Sequence, residues 1–178
     1  MSDASSPVPP SPGGNGAAGD PAAGAPQPPG PLVLNLQYTK DLSFEVPGAP
    51  EIFITLREQP RIDIALDVQA RPLEQPGVYE VSLQIRCDAR AGERTAFIAE
   101  LVYCGIFTIT IEPNLLEPVL LVECPRLLFP FARNILADVT RDGGFPPVLL
   151  APIDFVALWQ SRRGGAQAPE GQAPVGLA

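Results

Sequence analysis

The side chains best suited to chemistry in this chain are three carboxylates, Asp41, Glu45 and Glu100. Paired carboxylates carry glycosidase-type acid and base work when one of them is shielded in a cleft and its pKa is raised. Here each sits in a strand-like stretch at a parity that points outward, so the three lie on an open sheet face. Solvated surface is the simpler use of such charges, and a docking patch for a basic partner is the sharper one. A carboxylate-based hydrolase is the alternative from a different class, and it requires a closed pocket.

What is missing narrows the chemistry further. Histidine is absent, which removes the usual general base at neutral pH, Ser-His-Asp and Cys-His arrangements, and the commonest nitrogen ligand for zinc. The three cysteines, Cys87, Cys104 and Cys124, have no CxxC spacing and are odd in number. Neither a zinc site nor a secreted disulfide framework fits them, and a reduced, cytoplasmic setting is expected. The expectation is a protein that is not an enzyme, with no catalytic residues, cofactor or metal.

With 178 residues, 46% of them hydrophobic, the chain is long enough for one domain with a real core. Its formal net charge is -8, and its twelve basic residues are spread singly along the sequence, leaving no basic stripe for nucleic acid. No run is long or apolar enough to span a bilayer, so stable membrane insertion is not expected.

Three segments follow from composition. Residues 1–31 are almost entirely Pro, Gly, Ala and Ser, with no Lys or Arg, and are expected to be a disordered tail that is not a targeting signal. Residues 32–163 form the ordered domain, and 164–178 a second flexible tail.

Order begins at Leu32. The even positions Leu32, Leu34, Leu36, Tyr38, Leu42, Phe44 and Val46 are apolar and the odd ones mostly polar, which predicts a long strand with one wet face. Lys40 breaks the series and marks a bulge or bend. Pro47-Gly48-Ala49-Pro50 interrupts pairing, and Ile52, Phe53, Ile54 and Leu56 then read as a connection carrying its own hydrophobics, or as a short covered edge strand. Strand two places Ile62, Ile64, Leu66 and Val68 inward, and strand three Tyr79, Val81, Leu83, Ile85 and Cys87. Strand four departs from this pattern. Its core face holds Phe97, Ala99, Leu101, Tyr103, Phe107, Ile109 and Ile111, but its outer face carries Ile98, Val102, Cys104 and Ile106 around Glu100, an apolar surface meant to be covered part of the time.

After Pro113 the period changes, through Leu115 to Val122, and leads into a helix read from Arg126. From Arg126, residues Leu128, Phe131, Ala132, Ile135 and Val139 form one stripe, while Leu127, Phe129 and Leu136 lie off it. One sheet covers one side of such a helix, so the other needs a second protomer or a later segment; an ordinary buried helix in a monomer core would read the same way. Gly143-Gly144 ends it, and Pro152 opens a second helix through Asp154, with Phe155, Leu158 and Trp159 on its apolar side.

The chain resembles SecB, the bacterial protein-export chaperone family. The match is carried by Tyr38-Thr39-Lys40-Asp41-Leu42-Ser43-Phe44-Glu45, Val78-Tyr79-Glu80-Val81, Thr95-Ala96-Phe97 and Gly105-Ile106-Phe107. It continues through Cys124-Pro125-Arg126-Leu127-Leu128-Phe129-Pro130-Phe131-Ala132-Arg133 and Gly144-Phe145-Pro146-Pro147 to Ile153-Asp154-Phe155.

The resemblance implies an α+β fold: a four-stranded antiparallel sheet with a long helix and a C-terminal helix, packed as a dimer of dimers. It implies a homotetramer whose long helices meet between sheets, with Leu128, Phe131, Ile135 and Val139 at the interface. It implies an ATP-independent holdase that binds unfolded secretory precursor proteins in the cytoplasm and delivers them to the SecA ATPase. The family's motor-docking positions correspond to Asp41, Glu45, Ile98 and Glu100. Its client grooves correspond by position to Phe53, Ile54, Leu56, Leu149, Phe155, Leu158 and Trp159, although Ile52 to Gln59 departs from the family in length and composition. A SecB-like chaperone dedicated to an antitoxin keeps the same fold with a different client.

Overall fold

A computed structural model describes residues 30–165. The tails expected at 1–31 and 164–178 lie almost wholly outside them. Four strands, β1 (Leu32–Glu45), β2 (Arg61–Pro72), β3 (Val78–Ala91) and β4 (Arg94–Ile109), form one antiparallel sheet in the order β1-β4-β3-β2. The expected four-stranded antiparallel sheet is therefore present. The two-residue Gly92-Glu93 turn joins β3 to β4, with Gly92 at φ 62°, a left-handed conformation glycine adopts without steric cost.

The long apolar alternation of β1 conceals two irregularities. Register shifts fall between Leu34 and Leu36 and between Thr39 and Asp41, so Asn35 and Lys40 are the extra residues. The bulge expected at Lys40 is there; the one at Asn35 was not foreseen. Each flips the side-chain parity. Leu36 and Tyr38, expected inward, stand opposite Ile106 and Cys104 on the outer face, and the second bulge returns Leu42 and Phe44 to the core face opposite Leu101 and Ala99.

The connection after β1 also differs from expectation. Glu51–Thr55 is a short helix, α1, which buries Ile52 and leaves Ile54 exposed. The helical region after β4 begins earlier than Arg126. It runs through α2 (Pro113–Pro118), a wide π-type turn at Val119–Glu123, and α3 (Cys124–Asp142). Pro125 sits in the first turn of α3, directly after the π-type turn, and Pro130 is carried inside the helix. The end of α3 is a Schellman arrangement: Gly144, at φ 87°, donates to Arg141 O at 3.0 Å, and Phe145 N donates to Thr140 O at 3.1 Å. The C-terminal helix α4 (Phe155–Gly165) is capped by Asp154, whose Oδ1 accepts from the Val156 and Ala157 N–H groups at 3.0 Å each.

The core lies between one sheet face and α3. Leu83, Ile85, Leu101 and Phe107 from the sheet meet Leu128, Phe129, Ala132 and Leu136 from the helix. Burying each large aliphatic or aromatic side chain stabilises by about 1.5–3 kcal/mol. At one end Phe97 and Phe145 pack at 4.8 Å between ring centres, with Phe44 and Phe53 against them, which fastens α1 and the chain after α3 to the sheet. The helical layer is narrower than the sheet: Leu42 on β1 and Ile64 on β2 face the helix side yet remain exposed.

Candidate functional site

On the outer sheet face the four expected docking residues come together. Glu45 pairs with Ile98, Ser43 with Glu100 and Asp41 with Val102 in the β1–β4 register. All four side chains therefore share one face of two neighbouring strands, the Lys40 bulge having restored Asp41 to that face. Arg86, from β3, donates Nη1 to Glu100, and Nε and Nη2 to the two oxygens of Asp88 at 2.8 Å each. Its hydrogen bond holds the Asp88 carboxyl below the usual carboxylate range. Asp41, Asp67, Gln84, Arg86 and Glu100 line a shallow depression beside Val102.

Further along the same face stands a charged group that sequence parity alone did not mark as special. Glu80 is only 3% exposed, and three donors converge on its carboxylate. Tyr38 donates its hydroxyl to Oε1, Arg71 donates Nε to Oε2 at 2.5 Å, and Lys40 lies 3.3 Å from Oε2. Arg71 above all, with Tyr38 and Lys40, outweighs the opposing effect of burial and holds the Glu80 pKa down at about 2. The same hydrogen bond pushes Tyr38 up to about 12. A carboxylate held ionised is the reverse of what a general acid needs, so the shielded acid that a hydrolase would require is not supplied by the buried carboxylate on this face. Cys104 lies beneath this group, its Sγ 3.2 Å from Ser82 Oγ.

The expected client residues fall into two separate places and the core. Phe53 packs on Phe145 at 5.1 Å, and Ile54 is 75% exposed beside it, with Leu56 following. Leu158 and Trp159 line a different cleft, with Val68, Glu117 and Leu121. There Trp159 Nε1 donates to Glu117 Oε1 at 3.1 Å, Arg163 lies 5.0 Å from the centre of the indole, and Arg162 pairs with Asp67 while donating to Val68 O at 3.1 Å. Leu149 is 69% exposed. Phe155 is 1% exposed and packs edge-on against Phe129, so its role is to anchor α4.

The expected oligomer residues also divide. Leu128 is fully buried under β4 in this chain's own core, because the true sheet-facing stripe of α3 runs through Leu128, Phe129, Ala132 and Leu136. Ile135 and Val139 are half-buried at its border. Phe131 is 46% exposed, stacked on Tyr103 at 6.4 Å, and Leu127 is exposed next to it. The helix is apolar on two sides, and the free side is Leu127 with Phe131 rather than the stripe read from spacing.

All three cysteines are free and buried, and burial pushes the thiols of Cys87 and Cys124 up to about 11 and about 12. Among the described residues no cluster of Cys, Asp and Glu is placed to hold a metal ion. Among the described residues no helix is long and apolar enough to cross a membrane.

The family model for SecB, "Preprotein translocase subunit SecB", matches residues 25–165. The protein-export protein SecB of Granulibacter bethesdensis is 63% identical over 154 residues, covering 82% of this chain and 90% of that protein. The one from Acidiphilium cryptum is 60% identical over 148 residues, covering 75% and 89%. Among solved structures, a SecB-like chaperone from Mycobacterium tuberculosis, in complex with a peptide from an antitoxin, superposes with a TM-score of 0.56 at 12% identity, covering 69% of this chain and 88% of that one. That likeness bears on the fold alone.

Proposed function

Because the chain belongs to the SecB family, a family of non-enzymatic cytoplasmic chaperones of protein export, we propose that it works as a homotetrameric holdase that passes unfolded precursors to the SecA motor. The observation that carries this reading is the division of its surfaces. One sheet face holds Asp41, Glu45 and Glu100 around Ile98, with the exposed Leu36 at the other end of that face, while the exposed apolar side chains Ile54, Leu127, Phe131 and Leu149 belong to the helical side and its connections.

In this reading the acidic face docks a basic surface of SecA, and charge complementarity speeds the encounter and sets its orientation. Leu127 and Phe131 of the long helix meet their counterparts in a dimer of dimers, which the uncovered Leu42 and Ile64 border. Phe53, Ile54, Leu56 and Leu149 offer weak apolar contacts, and several copies of them give avidity for a long unfolded chain while each contact breaks easily. Folded proteins hide such segments, so slow folding selects the client. The solved neighbour with an antitoxin peptide shares little sequence, whereas the protein-export relatives exceed half identity, which favours the export client.

Light-scattering mass combined with capture of one secretory precursor tests the proposal. The precursor is offered freshly diluted from denaturant and, separately, already folded. A tetramer that captures the unfolded form alone, without ATP, is the expected result. A monomer indifferent to both overturns it.

A further inference from the structure

Most cations on the outer sheet face and at its edge are committed to carboxylates. Arg61 takes Asp63 at 3.1 Å, Arg86 takes Asp88 and Glu100, Arg162 takes Asp67, and Arg71 and Lys40 share Glu80. Arg90, opposite Arg61 in the β2–β3 register, has no such partner among the described residues. Asp41 and Glu45, the two docking carboxylates of β1, are left bare. At Asp41 this is unexpected. A β-bulge sets two consecutive residues against one on the partner strand, and Lys40 and Asp41 both line the same depression of about 340 Å³, with Gln69, Ser82 and Val102. An ammonium therefore stands next to the carboxylate in the chain and on the same face. It is nonetheless turned away. Lys40 Nζ lies 3.3 and 3.5 Å from the two oxygens of Glu80, two strands off on β3, and among the described residues that is its one ion pair.

Glu80 can draw Lys40 across the sheet because its own place is fixed. It is 3% exposed, stands directly opposite Arg71 in the β2–β3 register, and accepts from Arg71 Nε at 2.5 Å and from the Tyr38 hydroxyl. A buried carboxylate is costly to leave short of partners, whereas an exposed one is satisfied by water, so Lys40 goes to Glu80 rather than to Asp41. We propose that Glu80 is a positioning residue for docking: by pulling the Lys40 ammonium over β4 it leaves the Asp41 carboxylate bare for a basic partner. The inference rests on the docking reading above and adds to it a side chain too buried to touch the partner itself. Arg71 does not compete for the same role. It stands on β2, three strand spacings or about 14 Å from β1, whereas Lys40 is the neighbour of Asp41.

The test is calorimetric titration of purified SecA into the full chain at low salt, over a cycle of variants. Glu80→Gln releases Lys40 to Asp41 and is expected to weaken docking about threefold, the scale of one exposed ion pair. The double variant Lys40→Gln/Glu80→Gln is expected to bind as tightly as Lys40→Gln alone, and in an Asp41→Asn background Glu80→Gln should have no further effect. A merely structural loss, or a long-range loss of negative charge, persists in the Asp41→Asn background, and that result overturns the inference. Should circular dichroism show Glu80→Gln unfolded, Glu80→Asp carries the same cycle with the same expectations, since it still faces Arg71 but draws its carboxylate back from β1 by one methylene. If Asp41→Asn weakens docking while the Glu80 variants bind like the wild type, this inference alone fails. If Asp41→Asn binds like the wild type, or SecA does not bind at all, the docking reading falls with it.

Discussion

Leu128 of α3 rests directly against the backbone of Gly105 in β4: a Cβ placed on that glycine would lie 2.8 Å from Leu128 Cδ2 and 2.7 Å from the Phe107 ring. Gly105 is thus the position that sets how closely the long helix approaches the sheet, and its need is for space rather than for an unusual backbone angle. Gly105→Val is expected to destabilise the fold by about 1–3 kcal/mol, through helix displacement and forced side-chain rearrangement. The urea midpoint measures it, with Gly105→Ala intermediate. An unchanged midpoint for both would mean that α3 shifts freely, and the packing described above would be wrong.

Glu80 gives the stability a defined acid limb. Its folded pKa, about 2, is depressed below the ordinary carboxylate value near 4.5. The stabilisation is therefore fully present above the unfolded pKa and is lost as pH falls from about 4.5 toward 2, amounting to about 2–3 kcal/mol after allowing for its solvent-exposed partners. Tyr38, raised to about 12, acts in the opposite sense, favouring the fold below pH 10 and ceasing to do so between 10 and 12. Urea unfolding of the wild type and of Glu80→Gln at pH 7 and pH 3 separates this contribution. The variant should lose stability at pH 7 and show a shallower decline with acid, and parallel declines would dismiss the network as a source of pH dependence.

Much of this architecture was legible because apolar alternation and helical spacing report burial directly. The four strands, the bulge at Lys40, the stop at Gly143-Gly144 and the start at Asp154 all follow from local chemistry. The bulge at Asn35 was hidden because the two irregularities of β1 cancel: Leu42 and Phe44 recover the parity of Leu32 and Leu34, so the even series, interrupted at Lys40, runs straight through Leu36 and Tyr38, which point the other way. The five residues of α1 are too few to show a period. On α3 nearly every side is apolar, so spacing gave one stripe and the sheet chose another, putting Leu128 inside and Phe131 outside. The pairing of Arg61 with Arg90 depends on strand register, which joins positions 29 residues apart, and no local pattern announces it.

The docking face predicts a salt-sensitive interaction. Asp41→Lys/Glu45→Lys is expected to weaken SecA binding by about tenfold or more at low salt and to flatten its salt dependence, without moving the urea midpoint, since both side chains are exposed and make no ion pair among the described residues. Isothermal titration at two ionic strengths reads both effects. Glu100→Gln should do less, because Arg86 already neutralises part of that charge. Unaltered affinity in the double variant would move the docking site off this face.

The proposed assembly predicts a decisive role for Phe131. Its ring is stacked on Tyr103 yet nearly half exposed, and Leu127 continues the same apolar surface one turn earlier. Covering such side chains is worth about 1.5–3 kcal/mol each, and in a symmetric assembly every protomer contributes the same pair, so the gain repeats at each copy. Leu127→Asp/Phe131→Asp places two charges on that surface, where burial without a partner is strongly unfavourable. The expected outcome is a light-scattering mass reduced to that of a dimer or monomer with the far-ultraviolet circular dichroism unchanged. Leu128→Ala, buried in the chain's own core, should instead lower the urea midpoint and leave the mass of the folded protein intact. If the double variant kept its mass, the uncovered edges at Leu42 and Ile64 would have to hold the protomers together, and Asp at those two positions would then break the assembly in its place.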